Sequence, residues 1–248
     1  MSEITQNDID WLLNLNGANG VSTAPLITEK PEKKGSKFRI RPLRWLTMIG
    51  LFAAFSILPF FLLIRVSLLT HNTYGIHPWM ALLAGMGSTV LFLLIYIFVA
   101  FARAKRKKVV AKLSLYASTL MVLGYCGYSL LYLSSMNAKT EAIQSVYTSL
   151  HPILRVAITT VTLADNELLI TDISRTAEDY KRWGLPVNES SLHFKQDDGF
   201  VHAVDIRTKG HSELRNTLVE QSLRLMGLYT LRHTGTADHL HISIPRGK

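Results

Sequence analysis

The sequence predicts an α+β protein behind three transmembrane helices, and three observations carry that reading. Apolar residues gather in the first half as three long uncharged runs. The positive charge flanks those runs. The remainder alternates short strand and helix patterns. The organisation expected is a cytoplasmic peptide and basic segment over 1–44, a membrane region over 45–135 and an extracytoplasmic domain over 136–248.

The first run, Leu46–Ile64, has 19 residues without a charge, Trp79–Ala102 is longer, and Leu113–Leu133 is also uncharged. Each is long enough to cross the hydrocarbon core of a bilayer, roughly 30 Å thick, as a helix. On the second run Ala81 with Gly85, and Ala84 with Ser88, are small pairs four apart that let helices pack closely.

The net charge of +9 is a topology signal rather than a nucleic-acid footprint, because of where it sits. The first 135 residues carry 14 Lys/Arg and 5 Asp/Glu, and the rest carry 13 of each, so the whole excess lies in the membrane half. Lys30, Lys33, Lys34, Lys37, Arg39, Arg41 and Arg44 precede the first span. Arg103, Lys105, Arg106, Lys107, Lys108 and Lys112 separate the second from the third, and Ser67–Pro78 has none. By the positive-inside rule the N-terminus and second loop are cytoplasmic, the C-terminal domain is outside the bacterial inner membrane, and the basic runs meet lipid headgroups. Cys126 lies alone inside the third span, so no intrachain disulfide framework is expected. The polar, acidic N-terminus lacks a cleavable leader pattern, which makes the first span an uncleaved signal anchor.

Residues 1–16 have the pattern of a short amphipathic helix with Thr5 as N-cap and Ile9, Leu12 and Leu13 along one side. Its segment ITQNDIDWLLN is similar to the N-terminal peptide by which the flagellar switch protein binds the chemotaxis response regulator. It is read either as a helix on the inner membrane surface or as a docking peptide for a cytoplasmic protein partner. The Gly, Ser, Pro and Lys of 17–44 predict no fixed structure.

Beyond the spans, Asn137–Leu150 has a helical pattern that carries the chain away from the membrane, and Glu167 to Asp172 reads as a strand. RTAEDYKRWGLP is a short helix with Thr176 as N-cap and Gly184 and Pro186 as its stop. FVHAVDIRT is a strand. SELRNTLVEQSLRLMG is a helix from Ser212 to Gly227 with Leu214, Leu218 and Leu225 on one face. LYTLRHT and HLHISI are two closing strands.

The last fifty-odd residues hold His193, Asp205, Asp238, His239 and His241 on what read as strands, a mixture of imidazole and carboxylate suited to catalytic zinc. His239 and His241 point to one strand face because the side-chain period is two. Asp197–Gly199, DDG, predicts a hairpin that brings His193 and Asp205 side by side. An HxH pair alone is a weak signal.

The order ITDISRTAEDY, SSLH, HAVDI, DHLHISI, over Leu150 to Pro245, resembles the M15 zinc peptidases, the D-alanyl-D-alanine peptidases, and the wider LAS group of peptidoglycan amidases. The resemblance implies a compact domain with a small antiparallel sheet and flanking helices. It implies zinc on His193, Asp205 and His241, Asp238 as general base, Arg175 steadying the developing oxyanion, and His239 as a second imidazole at the substrate. Ser191 belongs to the SxH element. The family pattern has His and Asp seven apart, whereas here they are twelve apart, so about five residues near KQDDG are expected to form an extended hairpin. Asp also stands at 238 where Glu is usual.

The activity implied is hydrolysis of peptide stems or cross-links of peptidoglycan. Two other readings stand beside it: a pseudo-enzyme that binds peptidoglycan without cutting, and a membrane scaffold whose N-terminal peptide recruits a partner.

Overall fold

The computed structural model describes residues 42–102, 105–235 and 237–245. The peptide at 1–16 and nearly all of the basic segment that follows it lie outside the described residues. Helix α1 (Pro42–Tyr74) has 33 residues, about 50 Å at about 1.5 Å per residue. It continues ten residues past the expected end at Ile64, because the single charge of Arg65 interrupts hydropathy without breaking backbone hydrogen bonding. Gly75, at φ +61°, follows its end, and the loop to the next helix is only Gly75 to His77. Helix α2 (Pro78–Ala100) begins with a proline in its first turn, where a missing N–H costs nothing. Helix α3 is Lys107–Leu131. All three are long and apolar enough to cross a membrane.

The described residues from Met48 onward form one compact unit. Within it α1 and α2 cross closely at Gly85, where a Cβ would collide with the Ser67 side chain and the Leu63 carbonyl. Ala81 is fully buried beside it. Ala84 is exposed, so the second small pair does not serve this crossing.

The connection after α3 is not the continuous helix expected. A 3-10 turn (Ser135–Asn137), a short helix α4 (Glu141–Ser145) capped by Thr140, and another 3-10 turn (Tyr147–Ser149) fold the chain back on itself. The cause is visible at Tyr147, which is buried and donates its hydroxyl to the Ser129 carbonyl of α3 at 2.8 Å. Helix α5 (Pro152–Ala164) then packs on α2 and α3. Arg155 donates to the Leu130 carbonyl, and the hydroxyls of Tyr125 and Thr160 meet at 2.6 Å. The α+β region therefore shares its core with the long helices.

Four antiparallel strands, β1 (Ile170–Asp172), β2 (Ala203–Arg207), β3 (Tyr229–His233) and β4 (His239–Ser243), form one sheet in the order β1-β2-β4-β3. Val204, Ile206, Leu240 and Ile242 join Leu154 and Ile158 of α5 in the core. Helix α6 (Ala177–Arg182) opens with a capping box, the Thr176 and Asp179 side chains each accepting from the other's backbone N–H. Helix α7 (Glu213–Met226) runs from its Ser212 cap to Gly227 in the left-handed region at φ +101°. Leu223 and Met226 of α7 reach the core. Leu214, Leu218 and Leu225 do share a face, and it is the exposed one. Leucine spacing identifies a stripe; Asn216, donating to the Thr208 carbonyl, marks the side that packs.

Candidate metal centre

Strand register sets the site. Asp205 of β2 lies opposite His241 of β4 on one side and opposite Asp172 of β1 on the other, so three polar residues form a row across the sheet. Residues directly opposite one another approach to about 5 Å at Cβ, close enough to share a ligand. His193 comes to this row from a turn, where a strand was expected. That turn is held by the Arg175 N–H donating to the His193 carbonyl at 2.9 Å and the His202 N–H donating to the Leu192 carbonyl at 2.9 Å. The extra residues between His193 and Asp205 loop out and return through a single bridge, Lys195 to Val201, with Gly199 at φ +84°, instead of extending as a hairpin. His193 and Asp205 meet despite the longer spacing.

The three atoms His193 Nε2, Asp205 Oδ1 and His241 Nδ1 lie 3.2, 2.9 and 3.2 Å apart. The Nδ1–H of His193 donates to the Ile173 carbonyl at 2.8 Å, so its Nε2 carries a lone pair when the ring is neutral. With both imidazoles neutral, a His241 Nδ1–H has two acceptors, Asp205 Oδ1 and His193 Nε2, and the His193 Nε2–Asp205 Oδ1 contact has no proton at all. A cation among the three atoms, or a second proton, resolves that shortage. Donors at about 2.0–2.1 Å from tetrahedral zinc stand roughly 3.3 Å apart, close to the triangle observed. A ligating histidine that donates its other N–H to a backbone carbonyl is also the usual outer support of a metal site. The donor set of two imidazoles and a carboxylate thus fits zinc.

The surroundings are charged. Arg175 donates Nε to Asp172 Oδ2 at 2.6 Å and Nη2 to Asp205 Oδ2 at 3.4 Å. Burial alone would raise the Asp205 carboxyl; the His193 and His241 rings against it outweigh burial and hold that carboxyl below its usual range. His239 is the second imidazole: its Nδ1–H donates to the Ala237 carbonyl at 2.6 Å, and Nε2, left with the lone pair, stands 3.8 Å from Asp205 Oδ2.

Asp238 does not join them. It lies three residues before His241 on extended chain, which turns it to the opposite side. There it accepts from Thr208 at 2.7 Å and from Arg232 at 3.0 and 3.1 Å. Arg232 first, then Thr208, push its carboxyl down to about 2, a poor proton acceptor at neutral pH. Of the residues read from sequence, His193, Asp205, His241, Arg175 and His239 converge, and Asp238 stands apart. Ser191 supports the turn, its Oγ accepting from the His193 N–H at 3.3 Å. Asp172, which orients Arg175, was missed, although a carboxylate at a strand end three residues before an arginine was a usable signal.

A second group of possible ligands, His151, Asp198 and His202, lies elsewhere in the same unit. No family model, curated protein or solved structure matches the chain.

Proposed function

We propose that the chain is a membrane-anchored zinc peptidase of the M15 and LAS type, hydrolysing peptide stems or cross-links of peptidoglycan outside the bacterial inner membrane. The observation that carries this reading is the convergence of His193, Asp205 and His241 with one proton among three contacts. Their order and their arginine neighbour resemble that family, and the flanking charges support a topology in which the domain faces the wall.

His193, Asp205 and His241 would hold the zinc. When bound, zinc supplies Lewis acidity, lowering the pKa of a water and polarising a carbonyl. His239 takes a proton at Nε2, the role first read onto Asp238, because Nε2 is the free nitrogen facing the metal row while Asp238 is tied to Arg232. Arg175, held by Asp172, presents its guanidinium where negative charge grows on the scissile amide oxygen. The long helices restrict cutting to wall near the bilayer, and any cytoplasmic partner binds through residues 1–16.

One observation favours the non-cutting alternative, a peptidoglycan-binding protein: the carboxylate that the family uses as base is turned away here. Zinc analysis of the full chain tests the ligand assignment. His241→Ala and Asp205→Ala each lose one equivalent of zinc relative to wild type. Unchanged zinc in both variants contradicts it.

A further inference from the structure

The residues that lengthen the His193 to Asp205 spacing do more than loop out. Their turn carries Asp198, whose Oδ2 meets His202 Nε2 at 2.8 Å and lies 3.9 Å from His151 Nε2. His151 precedes α5 and is fully buried, and neither of its ring nitrogens has a hydrogen-bond partner. A buried imidazole almost always satisfies both nitrogens, through protein or water. Here it has no exposure to solvent and faces a carboxylate and another imidazole, all with ligand atoms within 4.8 Å of one another.

The next imidazole is supplied by the membrane hairpin. His71, near the end of α1, has its ring centroid 5.0 Å from that of His151, and its Nδ1–H donates to the Ile76 carbonyl at 2.8 Å. That bond fixes the tautomer with the lone pair on Nε2, the form that binds metals. Phe200 and Trp79 wall the cluster: Phe200 stands 6.0 Å from His151 and 6.3 Å from Trp79, ring to ring. Arg155, the nearby cation, is engaged with the Trp79 face and the Leu130 carbonyl.

We propose that His151, Asp198 and His202 form a second divalent-cation site, of the zinc class, which fastens the Asp197–Gly199 turn and the start of β2 to the start of α5, beside the end of α1. Imidazole-rich, with a fully buried ligand in His151 and sharing no residue with the Arg175 row, it is a structural site. It holds the loop that delivers His193: the backbone bond from His202 to Leu192 ties one metal group to the other. The insertion that departs from the family spacing then has a purpose, since it brings Asp198 to the joint between membrane helices and sheet.

The test is zinc stoichiometry of the full-length chain in detergent, stripped by chelator and dialysed against zinc chloride. His202→Ala and Asp198→Asn are the variants, both at half-buried positions, so that folding is not at stake as it is for His151. Two zinc ions per wild-type chain, one in each of these variants, one in His241→Ala and none in His241→Ala with His202→Ala are expected. One ion in wild type that persists in His202→Ala and Asp198→Asn overturns the second site while leaving the first. Loss in the His202 and Asp198 variants but not in His241→Ala supports the second site and overturns the catalytic one. As a check independent of counting, zinc raises the melting temperature of His241→Ala but not of the double variant; equal rises in both overturn the proposal.

Discussion

At the residue scale the chemistry divides between two carboxylates and two imidazoles of similar appearance in sequence. Asp205 faces His193 and His241 while Asp238 faces Arg232, so substitution separates them. His239→Gln lowers kcat by about 10² to 10³, the usual worth of a proton-transfer group, while Asp238→Asn keeps hydrolysis within a few-fold of wild type. Steady-state cleavage of a defined stem peptide measures both. Asp238 also fixes an acid limit. Its carboxyl is lowered from 3.8 to about 2, so its contribution to stability is complete above the higher value and is lost as pH falls through the lower. Thermal melts from pH 5 down to pH 2 show a smaller acid loss in Asp238→Asn than in wild type. The turning away of Asp238 was legible in principle, since positions 238 and 241 differ by an odd number on a strand. The family pattern drew attention to the acid's identity and away from its face. His151 had no such signal, because its partners lie 47 and 51 residues further along the chain.

Elements were read most securely where caps mark them. Thr176, Ser212 and Gly227 delimit α6 and α7 because side-chain oxygens satisfy the free N–H groups and glycine accepts the left-handed turn. Elements shaped by distant contacts or by a lone charge differ from their sequence pattern: α1 runs on past Arg65, and Asn137–Leu150 breaks into turns, despite the Thr140 cap, because Tyr147 is drawn into a core that lies far away in sequence. The crossing of α1 and α2 is the element contact most open to test. Gly85→Ala overpacks the Ser67 and Leu63 contact and costs about 1–3 kcal/mol, whereas Gly87→Ala, with nothing within 4 Å, is neutral. Chemical unfolding of the two variants in detergent distinguishes them.

For the whole molecule, the decisive feature is that α5 is at once the floor of the sheet and a neighbour of the long helices. Sequence composition separates the apolar first half from the α+β half sharply, but composition carries no information about burial between them. Tyr147, Leu154 and Ile158 are buried, and the Tyr147 hydroxyl is shared by the Ser129 carbonyl and the Thr159 hydroxyl. Tyr147→Phe costs about 1 kcal/mol in the same unfolding experiment, the net value of the hydrogen bonds removed. A fragment of 137–248 exposes this surface and aggregates where the full chain remains monodisperse by size-exclusion chromatography. Function is therefore to be measured on the intact protein. The most direct measurement is mass spectrometry of muropeptides after incubation of peptidoglycan with zinc-loaded full-length chain, beside His241→Ala. The account predicts new stem or cross-link cleavage products with wild type that are missing with the variant. Identical digests from both, with zinc bound by the wild type, contradict it.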